Sequence, residues 1–328
     1  MEVVLTGSIA FDYLMKFPGY FRDHILPDRL ECLSLSFLVE SMVRQRGGIA
    51  PNIAYTMALF GERPRLFATA GGDFEEYRLW LESKGVDASG VRIVPGEYTA
   101  SFFANTDRAN SQIASFYPGA MAYAGDLSLY ELTGDRPDLV MISPNDPMAM
   151  TRYVLECQEM GIPYMYDPSQ QIPRLSDEDL HRGLDGTLAL FVNHYELCMI
   201  QNRTQLSFES ILSKPQFAVV TYGEQGSIVH HGEAQYSIQV VPPQKIIDPT
   251  GVGDAFRGGF LTGYVHGIDL KLCGQMGSLA ATYCLEQPGP QGHSFTSEKF
   301  IARFREYFDD EGMLNNLLHV HESLGKRE

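Results

Sequence analysis

Short apolar runs alternate with amphipathic stretches along this 328-residue chain. Val3–Leu5 is an apolar run stopped by Thr6-Gly7-Ser8, which reads as a strand and a turn. R-L-F-A-T-A-G-G (65–72), D-L-V-M-I-S (138–143), P-Y-M-Y-D (163–167), L-A-L-F-V-N (188–193) and F-A-V-V-T-Y-G (217–223) read as further strands. Helical spacing fills the gaps. Ile53, Ala54, Met57, Ala58 and Phe60 follow Pro51, which suits a first helical turn, and Gly61 closes the helix. Phe74–Lys84, Met148–Met160 and His194–Gln201 also read as helices. Strands alternating with helices predict a mainly parallel central sheet covered on both faces, an α/β/α sandwich. Ligands of such sheets bind at the carboxyl ends of the strands. Those ends are polar here: Asp167, Asn193 and Thr221.

Two segments break the alternation. Residues 13–46 read as irregular around Pro18, Gly19 and Pro27, with an alternating C-L-S-L-S-F stretch at 32–37 that predicts a sheet with one wet face. T-A-S-F-F-A-N-T-D (99–107) and Q-I-A-S-F-Y-P-G (112–119) lie four residues apart and predict a hairpin. The expected organisation is a small β-rich lid from 13–46 and 97–122, on a large α/β unit from 1–12, 47–96 and 123–328.

Composition narrows the function. Lys+Arg number 25 and Asp+Glu 41, a net charge of −16, with no basic run. Nucleic acid is not an expected partner. A phosphorylated substrate remains open, because backbone N–H groups and a metal can bind it locally. Cys32, Cys157, Cys198, Cys273 and Cys284 are scattered and odd in number. They predict neither disulfides nor a zinc site and fit a cytoplasmic, reducing setting. The nine histidines form no ligand pattern, and His230-His231 reads as a hairpin surface. The start has no basic leader region, and no apolar run approaches the roughly 18 residues of a membrane span.

Candidate chemistry concentrates in D-P-T-G-V-G-D-A-F-R-G-G-F (248–260). As a dinucleotide loop it fails, since Phe256 stands where the third glycine belongs and the motif lies late in the chain. A Walker loop is absent. A plain turn into a helix accounts for Gly251 and Gly253 but not for Asp248 and Asp254 together. A phosphate cradle gives the glycines and Asp254 a joint reason. Thr250–Gly253 would present backbone N–H groups at the start of a helix over about Asp254–His266, where orphan donors and the dipole attract anions. Asp254 cannot bind phosphate, but it can take a proton from a hydroxyl about to attack phosphorus. Gly258, Gly259 and Gly263 predict close packing of that helix. Arg257 shares a face with Asp254, and could neutralise phosphate charge or simply pair with the aspartate.

Several stretches together resemble the PfkB, or ribokinase-like, carbohydrate kinase family. Asp248-Pro-Thr-Gly-Val-Gly-Asp254 is similar to its C-terminal signature, with Pro249 before Thr250 as a departure from the commoner pattern. V-V-L-T-G-S-I-A-F-D12, G47-G48-I-A-P-N52-I-A, the segment 72–87, N193-H-Y-E196 and T221-Y-G223-E-Q-G226 resemble the remaining elements in order. M-K-F-P-G-Y-F, S-L-S-F-L-V, Q-I-A-S-F-Y-P-G-A-M and D-P-S-Q-Q resemble one bacterial branch, the adenosine kinases of ribokinase-like fold.

The resemblance implies a ribokinase-like α/β/α fold with a β lid, and ATP-dependent phosphorylation of a purine nucleoside 5′-hydroxyl, adenosine first. It implies Asp254 as base, with the N–H groups of Gly251, Val252 and Gly253 as the anion hole. Asp12, Gly48 and Asn52 would bind the ribose, and Gly47-Gly48 could serve as the lid's hinge. Phe102 and Phe116 would sandwich the base, and Ser8, Ser36 and Gln171 would add polar contacts. Asn193, Thr221, Gly223 and Gly226 would bind ATP. Glu196 would hold Mg2+ through water, and Asp248 would help place K+. A homodimer is implied. Taken singly, most of these residues have ordinary readings: a lone Asp after a strand is usually a turn residue, and strand aromatics are usually core. A sugar kinase for ribose or fructose, a kinase of inosine or guanosine, and a non-catalytic nucleoside-binding homologue are the alternatives.

Overall fold

A computed structural model of the chain describes residues 1–25, 31, 34–132 and 136–319. Among these, a nine-stranded sheet runs through the large unit. Its strands are β1 (Val3–Thr6), β4 (Arg65–Ala70), β5 (Asp87–Ile93), β8 (Leu139–Ile142), β9 (Tyr164–Tyr166), β10 (Ala189–Asn193), β11 (Phe217–Thr221), β12 (Ser227–His231) and β13 (Ala234–Ile238). Their spatial order is β13-β12-β11-β10-β9-β8-β1-β4-β5. The seven strands from β11 to β5 pair in parallel, and β12 and β13 complete an antiparallel edge. The hairpin surface read at His230-His231 is the end of β12, where His231 pairs with Ala234.

Nine helices of the described residues cover the sheet: α1 (Ile49–Leu59), α2 (Glu75–Ser83), α3 (Pro147–Met160), α4 (Asp177–Leu184), α5 (His194–Thr204), α6 (Phe208–Ser213), α7 (Val252–Val265), α8 (Leu270–Leu285) and α9 (Ser297–Phe304). Strand side chains alternate between faces, so the parallel strands feed two cores. Leu5, Leu66, Met141, Phe191 and Val219 pack with apolar residues of α1, α7, α8 and α9. Val4, Phe67, Val140, Leu190 and Val220 pack with those of α3, α4, α5 and α6. This is the expected α/β/α arrangement.

The close packing expected of α7 is present. A Cβ on Gly258 would stand 2.6 Å from Thr56 Cβ of α1, and one on Gly259 would stand 2.8 Å from Ala280 Cβ of α8. Helix α8 escaped the periodicity reading because it is buried on most sides, from Leu272 to Cys284, and so lacks a polar face.

The small sheet contains β2 (Ala10–Lys16), β3 (Ser41–Gly47), β6 (Ala100–Thr106) and β7 (Gln112–Tyr117), ordered β3-β2-β6-β7. The expected hairpin is β6–β7, with Phe102 directly opposite Phe116. Three expectations need correction. The 13–46 segment is not irregular throughout, since β2 and β3 pair along their whole length. The strand lies at 41–47 rather than at the alternating 32–37 stretch. Cys32 and Leu33 fall outside the described residues, and 34–37 form no strand. Alternation over so few residues is weaker than the pairing that β2 offers to 41–47. Strand β2 also starts at Ala10, so Asp12 sits on the small sheet rather than ending the large unit.

Candidate active site

The carboxyl ends of β1, β10 and β11 open into a cleft of about 430 Å³. Ser8, Asn193 and Thr221 line it from the large sheet, and Ala10, Asp12, Phe102 and Phe116 line it from the lid. Its floor is the start of α7: Thr250, Gly251, Gly253, Asp254 and Arg257.

The floor is built by local rules. Gly251 caps α7 at φ 77°, a left-handed conformation that glycine adopts without a Cβ penalty. Asp248 holds the approach, its two carboxylate oxygens accepting from Thr250 N (2.9 Å) and Gly289 N (3.0 Å). The N–H of Val252 turns to Pro249 O at 3.4 Å. Of the anion-hole donors expected, Gly251 and Gly253 line the cleft, and Val252 is engaged within the turn.

Asp254 lies in the first turn of α7, one carboxylate oxygen accepting from Asn52 Nδ2 at 2.9 Å. Burial pushes its carboxyl up to about 7, with Asp167 and Asp12 pushing the same way, while Arg257 and Asn52 pull it down. Asp12 is raised to about 6, by burial and then by Asp248.

Arg257 is committed to Asp167. Its Nε lies 2.6 Å from Asp167 Oδ2, and its Nη2 donates to Asp167 Oδ1 (3.0 Å) and Ser169 Oγ (3.2 Å). The Asp167 side chain is only 1% exposed, so the pair forms a fixed, buried unit beside the cleft. Asp167 and Asp254 both hold Arg257 in its charged form. The expected pairing with Asp254 is thus corrected, since the ion-pair partner is Asp167, and the guanidinium lines the cleft.

Asn193 and Glu196 form a capping box on α5: Asn193 Oδ1 accepts from Glu196 N (2.8 Å), and Glu196 Oε2 accepts from Asn193 N (2.7 Å). Both line the cleft. Burial and then the charge of Asp167 raise the Glu196 carboxyl. Among the described residues no cluster of three or more His, Cys, Asp or Glu could hold a metal alone. The donor set fits a hard divalent ion that keeps water and phosphate oxygens in its shell, with Glu196 beside it.

Gly48, Asn52 and Ser8 also line the cleft, and Ser8 Oγ accepts from Ile49 N at 3.4 Å. Ser36 is exposed and is not part of the lining. Gln171 is buried, its Oε1 accepting from Arg174 Nη1 (3.3 Å), and the neighbouring Gln170 faces the cleft instead. Gly223 and Gly226 lie in the turn after Thr221, outside the cleft lining. Sequence reasoning missed Ser169, Gln170 and Gln291. Gln291 carries no local signal; it reaches Asn52 only through the fold.

The fold and the cleft define a ribokinase-like α/β protein with a glycine-bearing helix start facing a cleft under a small β sheet. Residues 21–296 match the pfkB family carbohydrate kinase profile, and the chain belongs to that family. A nucleoside kinase of Methanothermobacter thermautotrophicus is 31% identical over 306 residues, covering 92% of this chain and 95% of the relative. The structure of Burkholderia thailandensis nucleoside kinase in complex with inosine superposes with a TM-score of 0.83 at 34% identity, covering 93% of this chain and 98% of that one. The same protein is also known with ADP and inosine. Adenosine kinase of Saccharomyces cerevisiae is 35% identical over 168 residues, 47% of this chain and 48% of its own length. No helix of the described residues is long and apolar enough to cross a membrane.

Proposed function

We propose that the protein transfers the γ-phosphoryl of ATP to the 5′-hydroxyl of a purine nucleoside. One observation carries this reading: the Asp254 carboxyl stands in the first turn of α7, just after the Gly251 cap, in a cleft that Phe102 and Phe116 line from the lid.

Asp254 accepts the hydroxyl proton as oxygen attacks phosphorus. The Gly251 and Gly253 N–H groups face the charge that spreads over the phosphoryl oxygens. Asp12 takes the ribose hydroxyls, with Asn52 and Gly48 beside it. Phe102 and Phe116, on one face of β6–β7, offer flat apolar contact to a base, which a bare sugar would not use. Asn193 and Thr221 lie on the nucleotide side, and Gly223 and Gly226 would contact ATP from the turn beyond. When bound, Mg2+ beside Glu196 supplies charge neutralisation for the phosphates. Asp248 and nearby carbonyls are the candidates for placing K+. A lid that closes excludes water from the reacting groups.

Adenosine is the acceptor favoured by the sequence resemblance. Inosine is the second reading, supported by the B. thailandensis complex. The test is ADP release from ATP with adenosine, inosine, guanosine, cytidine and ribose, with and without potassium. Turnover with a purine nucleoside well above ribose is expected. Turnover confined to ribose would overturn the reading.

A homodimer is also proposed. Phe103, Met42 and Ile113 share the outer lid face, opposite the face of Phe102 and Phe116, and are 38%, 61% and 43% exposed. A second copy covering this face would remove it from water. Free Cys157, Cys198, Cys273 and Cys284 support a reducing, cytoplasmic setting.

A further inference from the structure

Behind the proposed base lies a chain of hydrogen bonds whose direction is fixed at both ends. Trp80 Nε1 donates to Gln291 Oε1 at 3.2 Å. Gln291 Nε2 donates to Asn52 Oδ1 at 2.9 Å. Asn52 Nδ2 donates to Asp254 Oδ2 at 2.9 Å. The second hydrogen on Gln291 Nε2 goes to the Tyr77 hydroxyl, which donates to Gly47 O at 2.9 Å. Gln291, Asn52 and Tyr77 are all buried, at 9%, 5% and 0% exposure.

Amide groups can point either way, so their orientation must come from their partners. An indole N–H can only donate. An ionised carboxylate can only accept. Between those ends, each amide has one consistent orientation. Turning Gln291 over would bring its NH2 against the indole N–H and its carbonyl against the Asn52 carbonyl. Turning Asn52 over would aim a carbonyl oxygen at the Asp254 carboxylate.

Resting on the reading of Asp254 as base, we propose that Gln291 and Trp80 are positioning residues for the reaction: they lock the Asn52 amide as a donor to the ionised Asp254 carboxylate. Neither touches the cleft. The same chain, through Tyr77, ends on the carbonyl of Gly47, where lid strand β3 joins α1. The base is therefore tied to the root of the lid.

Other groups facing Asp254 are Arg257 on its own helix, Asp167 after β9, Asp12 on β2, Cys284 on α8 and Tyr77 on α2. The substitutions below change none of them. Loss of a donor to the ionised form raises a carboxyl pKa. A base works only when ionised, so the acid limb of kcat moves to higher pH.

The experiment measures kcat and KM against pH on the full chain, for wild type, Gln291→Leu, Gln291→Glu and Trp80→Phe. Thermal unfolding checks the fold of each. Gln291→Leu is expected to move the acid limb up by about one pH unit and to lower kcat about fivefold at pH 7 and about tenfold well below it, with KM for the nucleoside changing less. Gln291→Glu is the sharper probe. Its carboxylate accepts from Trp80 and then from Asn52, which turns the Asn52 carbonyl toward Asp254. It should therefore be worse than Gln291→Leu, although its shape is nearly unchanged. A purely space-filling role predicts the reverse order and an unmoved limb. Trp80→Phe keeps an aromatic ring, though a smaller one, and removes the N–H; it should shift the limb in the same direction by less, and it decides alone if the Gln291 variants do not fold. Unmoved acid limbs, or a loss confined to KM, overturn the relay. A wild type that releases no ADP with any nucleoside overturns the functional reading instead, so the two failures are distinct.

Discussion

At the residue scale, Asp254 is the proposed base, and its raised carboxyl carries a cost in stability. Replacing it with Asn keeps the shape and the contact with Asn52 but removes the base. The expected loss in kcat is roughly 10²–10⁴-fold, with nucleoside binding retained by thermal shift. In the wild type, kcat should fall as pH drops below about 7, where Asp254 gains its proton. The stability effect has the opposite sense. A carboxyl raised by folding adds stability below its ordinary pKa and loses it as pH rises through about 7. Asp254→Asn should therefore melt at a higher temperature than wild type at pH 8, with the gap narrowing toward pH 4. Arg257→Met is the contrasting case. It leaves Asp167 charged, buried and unpaired, and should cost about 3–5 kcal/mol in denaturant unfolding. Asp254 was legible in the sequence because a plain turn explains Gly251 and Gly253 but leaves the acid after them without a reason. Arg257 was legible as a cation but not in its pairing, because Asp167 lies 90 residues away.

At the element scale, α7 works because it has little bulk where it meets α1 and α8. Gly259→Val would put side-chain atoms where Ala280 Cβ and the Met276 carbonyl already sit, each 2.8 Å from an added Cβ. We expect destabilisation of about 1–3 kcal/mol. Activity should also be lost, since a shifted α7 moves Gly251, Gly253 and Asp254 together. Most strands could be placed from their apolar runs, since parallel strands buried on both faces leave an unbroken signal. The lid strands β2 and β3 could not. Their residues are mixed, partly exposed and paired across a long connection, so local pattern favoured 32–37 over 41–47.

At the scale of the whole molecule, the lid has two faces with different expected duties. Phe102 and Phe116 face the cleft, and Phe103, Met42 and Ile113 face outward. Phe103→Asp should convert a dimer into monomers by light scattering, with the purine-nucleoside preference preserved. A monomeric wild type would remove the dimer proposal and leave the site reading untouched. Inner and outer faces can be tested separately because strand side chains alternate.

The sequence alone determined the α/β/α class, the β6–β7 hairpin, and the glycine turn into α7 followed by an acid. Each of these is a local pattern, set by periodicity, turn chemistry and helix ends. Only the tertiary structure decided which residues meet. It paired Arg257 with Asp167, turned Gln170 rather than Gln171 to the cleft, and left Ser36 exposed. It also joined Trp80, Gln291 and Asn52 behind Asp254, 239 residues separating Gln291 from Asn52. Hydrogen-bond partners buried at such separations leave no periodic trace, because packing rather than spacing brings them together.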